Sequence, residues 1–161
     1  MPYDYRDHIR ETNKAITHFQ REVGVTILWF EFDRADTSVD DVYDEGSAAG
    51  GRRWFPPKRV PVYSLIRQEA EERPDAEGFY APDTIHFSAL IEQLRKAGLS
   101  NPTDARSHLL DRVLWDGEIW NIQGYQIQGR LHGIETTLGI DAVQVSPEEM
   151  VNDPDFAAYA R

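Results

Sequence analysis

The sequence predicts a mainly β fold of α+β type: a small antiparallel β-barrel with an N-terminal amphipathic helix, one short helix and long loops. Three observations carry this expectation. Two segments rich in Leu, Val, Ile and Trp meet at Asp116-Gly117, a pair that takes positive φ at both central positions of a tight hairpin at little cost. A further β pattern, Leu138-Gly-Ile-Asp-Ala-Val-Gln-Val145, closes a meander. Between them the alternation flips parity: Trp120 and Ile122 share one phase, Tyr125 and Ile127 the other, with Gly124 at the change. A flip at a glycine marks a bulge or sharp bend, and such bends let a small sheet curl.

The elements follow in order. Tyr5, Ile9, Thr12, Ile16, Phe19 and Val23 recur at alternating spacings of four and three, which makes one stripe of a helix. Asp4 suits the N-cap, and Gly24 stands where a left-handed C-cap would end it. This stripe packs either on its own domain or, as an arm, on a neighbouring subunit. Val25-Thr-Ile-Leu-Trp-Phe-Glu-Phe32 is β-branched and aromatic and of strand length. The segment 33–57 is an extended loop, acidic and small-residue-rich to Gly51, then closed by Arg52-Arg-Trp-Phe-Pro-Pro57. Arg59 to Ile66 reads as one strand, with Pro61 arguing for an edge. After a charged, turn-rich stretch, Asp83 to Phe87 is a short strand and Ser88 to Ala97 a short helix that ends in a Schellman motif at Gly98-Leu99. Asn101 to Asp104 is a turn, and Ala142-Val143 shows a second parity flip. The expected organisation is an N-terminal helical arm over 1–24, a barrel domain over 25–150 and a tail over 151–161.

The 161 residues suit one domain with extensions, and an apolar fraction of 40% suffices for a core. The chain carries 17 basic against 28 acidic residues, a formal net charge of -11. Tight nucleic-acid binding needs clustered cations, so this balance argues against a conventional DNA binder. An acidic surface can still stand beside DNA without gripping it. The absence of cysteine excludes disulfides, thiol catalysis and cysteine-ligated metals. No basic patch precedes an apolar run at the N-terminus, and no apolar stretch approaches the roughly 18 residues of a membrane span. The expectation is a soluble protein made inside the cell, with no membrane partner.

Catalytic and metal-binding patterns are weak. The acids Asp33, Asp36, Asp40, Asp41, Asp44 and Glu45 lack EF-hand spacing and sit on a loop rather than on rigid elements. They read as a solvated or interface loop, with Asp40, Asp41, Asp44 and Glu45 facing a neighbour or a channel. The histidines are scattered, with no pair four apart, and no serine lies in a Gly-x-Ser-x-Gly elbow. Gly124 and Gly129 have phosphate-loop spacing, but Arg130 follows and the segment is β meander. No catalytic residue, metal or cofactor is expected. Arg52, Arg53, Trp54 and Phe55 form the one cluster of positive charge with aromatics. Arg and Trp dominate interface hot spots, so a subunit or partner contact is the leading reading. Core packing of Trp54 or Phe55 and base stacking are the others. Acidic and basic patches on one chain can pair head to tail, which is how a ring of identical subunits closes.

Several stretches together resemble the head-to-tail stopper, or head-closure, proteins of siphophages, especially those infecting actinobacteria. They are Trp29 to Asp33, Asp40 to Gly46, Arg52 to Val62, Gly78-Phe-Tyr80, Asp111-Arg-Val with Asp116-Gly117, Leu138 to Glu149 and Val151 to Phe156. The resemblance implies a structural virion protein of the phage neck: a β-barrel subunit in a twelvefold or sixfold ring. That ring sits between portal or adaptor proteins on the head side and the tail terminator or tail tube. It would retain packaged DNA, which passes without sequence-specific contact, and dock the tail. It also implies a channel-narrowing loop, for which Asp33 to Gly51 is the candidate. The N-terminal helix departs from the common barrel. A tail terminator or tail-completion ring is the nearest alternative. From other classes, an acidic cytosolic inhibitor that mimics DNA would bind one basic partner as a monomer. A small acidic hydrolase would instead lose activity on substitution of Asp41 or Asp44.

Overall fold

The computed structural model describes residues 5–37, 51–70, 82–151 and 153–159. Asp40, Asp41, Asp44 and Glu45, the Asp4 cap and most of the candidate channel loop lie outside them. The described chain is mainly β, with a few helices around one antiparallel sheet of seven strands.

Helix α1 spans Tyr5–Val23, and strand β1 (Val25–Phe30) starts after Gly24. That glycine is not left-handed, contrary to the C-cap expectation. Its role is space: a Cβ there would lie 2.3 Å from the Gln20 carbonyl oxygen and 2.8 Å from that of Val62. Helix, turn and β2 are thus in backbone contact, which fixes the direction in which α1 leaves the sheet. Because backbone has to move, Gly24→Ala is expected to cost about 1–3 kcal/mol, read as a lowered melting temperature.

The predicted strand Arg59 to Ile66 is two strands, β2 (Lys58–Val62) and β3 (Ser64–Gln68), separated by Tyr63. They form opposite edges of the sheet, whose order is β2-β1-β5-β6-β7-β4-β3. No ladder joins β2 to β3, but the chain runs from one into the other. The Tyr63 N–H donates to the Ser88 carbonyl at 3.1 Å. The sheet therefore bends far enough for its two ends to meet at one residue. Pro61 lies on edge strand β2, where its missing N–H removes no bond from an interior ladder.

Strand β4 (Thr84–Leu90) takes in Ser88, Ala89 and Leu90, which the sequence pattern assigns to a helix. These three pair with Gly139, Leu138 and Thr137, so cross-strand bonding outweighs local propensity. Helix α2 (Ile91–Lys96) then ends as predicted. Gly98 has φ +86°, its N–H bonds the Arg95 carbonyl at 3.0 Å, and that of Leu99 bonds Leu94 at 3.0 Å.

Helix α3 (Ala105–His108) leads to the meander β5 (Arg112–Trp115), β6 (Glu118–Leu131) and β7 (Ile134–Gln144). Asp116 and Gly117 have φ of 54° and 78°, the expected turn. His132-Gly133, with φ of 49° and 81°, makes an equivalent turn that composition does not announce. The register slips between Ile122 and Gly124, as the parity flip predicts, and again near Gly129. At Ala142-Val143 the ladder is regular, and Val143 simply lies half-buried on the opposite face.

The main core fills the concave side: Ile27, Trp29, Val60, Phe87, Trp120 and Ile140 are all fully buried. Each such side chain stabilises the fold by about 1.5–3 kcal/mol relative to exposure. A second cluster occupies the other face of β1, β5 and β6. There Phe30 and Ile119 meet Val145, Met150 and Phe156, with Trp54 packed against them. Helix α4 (Pro147–Val151) and a 3₁₀ turn (Ala157–Tyr159) bring the chain's last segment over this face. Residues 151–161, expected as a tail, thus place a fully buried Phe156 in a core. No helix among the described residues is long and apolar enough to cross a membrane.

Candidate functional site: a basic-aromatic segment latched to the C-terminal segment

The segment 52–55 continues the β1 ladder. Asp33 N–H donates to the Arg53 carbonyl at 2.9 Å and Phe55 N–H to that of Glu31 at 2.8 Å, around a bridge between Phe32 and Trp54. Extended backbone alternates side chains, and the four residues divide accordingly. Arg52 and Trp54 turn toward the protein, whereas Arg53 and Phe55 are exposed.

Arg52 makes a two-pronged pair with Asp153, Nε to Oδ1 at 2.8 Å and Nη2 to Oδ2 at 2.9 Å, and reaches Glu149 at 3.0 Å. Arg112, buried at the start of β5, shares both acids: Asp153 at 2.7 Å and Glu149 at 2.9 Å. Its guanidinium carbon lies 4.4 Å from the centre of the half-buried Trp54 ring and 4.9 Å from that of the buried Phe156 ring, both cation–π contacts. Burial pushes the Arg112 pKa down, and the neighbouring carboxylates act against that shift. Trp54 donates through its indole N–H to the Leu110 carbonyl at 3.1 Å, and its backbone N–H to Asp155 at 3.1 Å. Two arginines and two acids thus tie the loop end to the last helix. Such bidentate, partly buried pairs hold geometry better than surface pairs do.

What this anchoring presents outward is a patch. Phe55 is 46% exposed and Leu110 47%, and Leu109 beside it is also exposed. Among the described residues the Arg53 side chain pairs with Asp155 alone, a long, exposed contact at 3.4 Å. Exposed apolar side chains flanking a rigid tryptophan and a loosely held arginine have the make-up of a contact surface.

Beside the segment lies a cleft of about 320 Å³, lined among others by Glu31, Asp33, Phe55, Ser107, His108 and Asp111. At its base is a buried polar network that sequence reading passes over. Asp111 accepts from Trp29 Nε1 at 2.8 Å and from the Phe32 N–H at 2.8 Å, and it meets His108 Nδ1 at 2.6 Å. The other imidazole nitrogen faces the Asn101 carbonyl at 3.3 Å, and the ring stacks on Tyr125 at 5.2 Å. Burial acts to lower the His108 pKa, but the Asp111 hydrogen bond and charge outweigh it and hold it above the ordinary value. Both ring nitrogens are engaged and the ring is covered, so the arrangement braces α3 against β1 and presents no reactive atom. Glu31 lines the same cleft. Burial tends to raise its pKa, yet Lys58 and the Ser100 N–H, at 2.7 Å, keep it below its usual range.

Of the residues expected at an interface, the structure gathers Arg52 and Trp54 into an internal latch and leaves Arg53 and Phe55 outward. Sequence reading missed Arg112, Glu149 and Asp153, because nothing in a lone arginine on an apolar strand says which acids will reach it. No family model matches this chain, and no curated protein matches it either.

Proposed function

We propose that this chain is a structural subunit of the phage neck, a head-to-tail stopper whose copies assemble into a ring that retains packaged DNA and docks the tail. In this reading the curled sheet acts as a small barrel. It is bridged end to end by the β2–Tyr63–β3 strand instead of by a closing ladder. The observation that carries the reading is the latched segment. Arg52 and Trp54 are locked by Asp153, Glu149 and Leu110, so Arg53, Phe55 and Leu110 are offered on a rigid base. A ring needs a contact surface of this kind, repeated on every copy. The net charge of -11 supports a wall past which DNA slides.

Cryo-electron microscopy of tailed particles carrying this chain tests the proposal. A ring of curled β subunits between adaptor and tail is the expected result. Density at the head-proximal end of the tail would make the protein a terminator, and no density in the particle would overturn the reading. At residue level, Arg53→Glu with Phe55→Ser is expected to change folding stability by no more than about 0.5 kcal/mol, while particles made with it lose DNA retention or tail attachment.

A further inference from the structure

Helix α1 is the element that the fold leaves least accounted for. Tyr5 is 43% exposed and Phe19 55%, and no described residue of α1 belongs to either core cluster. Its ties to the body include Asn13 to Glu92 at 2.8 Å, Gln93 to Thr17 at 3.5 Å, ring contacts of Tyr5 and His8 with His132, and the buried Gln20. Such ties fix orientation. Orientation is further set by the packed Gly24 junction, so α1 lies along the body with one side half-buried and the other exposed.

Its charge runs against that of the protein. Four of the 17 basic residues and three of the 28 acidic ones lie in α1, leaving 13 basic against 25 acidic elsewhere. Arg10, Lys14 and Arg21, at spacings of four and seven, share one side of the helix. With Lys96 they line a groove of about 770 Å³ between α1 and α2. Among the described residues no acid forms an ion pair with Arg10, Lys14 or Arg21; Lys96 has Glu92 at 2.6 Å. From Arg10 to Arg21 the row is about 16 Å long, at about 1.5 Å per residue.

We propose that α1 docks on a second copy of this chain, its basic row seated against acidic side chains of the neighbouring subunit. The proposal rests on the assembly reading above and names the element that makes the contact. Charge complementarity chooses the occupant. The remainder of every copy carries the opposite excess, 25 acidic against 13 basic residues, and is present wherever α1 is. The screening length is about 8 Å at physiological ionic strength. The row therefore senses the carboxylates opposite it, while repulsion between two acidic bodies is damped. Nucleic acid is the weaker candidate, because a row of this length neutralises only a few phosphates and the acidic body behind it repels the rest. Pairing a basic row on one copy with acidic side chains on the next is a heterologous contact, the kind that closes rings.

The test mixes full-length chains labelled with nitrogen-14 and nitrogen-15, then applies a zero-length carbodiimide cross-linker and light scattering. The expected result is an assembly larger than one chain, with mixed-isotope cross-links from Lys14 to carboxylates outside α1. The variant R10E/K14E/R21E, with unchanged circular dichroism and melting temperature, is expected to dissociate about a hundredfold more readily. If this variant destabilises the fold, the single change Lys14→Glu supplies the same comparison. A wild-type chain that stays monomeric without mixed-isotope cross-links overturns the docking; the neck assignment is then judged on the particle map alone. Assembly unchanged in the folded variant also overturns the docking but leaves the ring intact. Labelled duplex DNA bound by wild type and released by the variant would give the row to nucleic acid instead.

Discussion

Replacing Asp153 with Ala is expected to destabilise the protein by about 3–5 kcal/mol, the cost of leaving one partner of a buried ion pair uncompensated. Asp153 is fully buried and faces Arg112, itself 1% exposed, at 2.7 Å, and it also holds both prongs of Arg52. Without it the Arg112 guanidinium stays enclosed by Trp54, Phe156 and β5, with only the half-exposed Glu149 as counter-charge. Urea unfolding followed by tryptophan fluorescence measures the loss. Asp153→Leu combined with Arg112→Leu is expected to recover much of it, because an apolar pair of similar volume avoids the desolvation of both charges. A cost below about 1 kcal/mol for the single change would show that the latch contributes little. The phenotype extends beyond stability: with Arg52 released, the base under Arg53 and Phe55 loosens and assembly suffers at temperatures where the sheet is still folded.

Asp111→Ala is the second large effect, again about 3–5 kcal/mol, because one carboxylate serves three buried groups. Trp29 Nε1, the Phe32 N–H and His108 Nδ1 all approach it between 2.6 and 2.8 Å. This network also sets a pH dependence. The folded protein holds the His108 proton more tightly than the unfolded chain does, since its pKa is raised. The resulting stabilisation is complete below the unfolded value of about 6.5 and fades as pH rises through the folded one. Melting temperature is therefore expected to fall on the alkaline side of about pH 6.5. In Asp111→Asn, which keeps the shape but not the charge, that slope flattens. A slope identical in both proteins would remove His108 from the account.

Local signals in the sequence were read well where they depend on a few adjacent residues. The end of α1 at Val23, the Asp116-Gly117 turn, the Schellman end at Gly98-Leu99 and the slip at Gly124 are all of this kind. They failed where distant chain segments compete. Ser88 to Leu90 looks helical but is held in β4 by β7, and the apparent single strand through Tyr63 serves two partners at opposite edges of the sheet. Of the candidate contact segment, its composition was legible and its division into anchored and presented residues was not. That division needs the bridge between Phe32 and Trp54.

By itself, then, the sequence determined a β-rich body, its Asp116-Gly117 turn, a helix ahead of it and a large negative charge, since propensity, periodicity and ionisation are properties of residues and near neighbours. Only the tertiary structure decided that Arg112 and Arg52 share Asp153, that Asp111 serves Trp29 and His108, and that α1 carries an unmatched basic row. Each of these depends on chain segments far apart in sequence. Their meeting is set by the bend of the whole sheet, which brings its two edges together at Tyr63 and folds the last helix across its outer face.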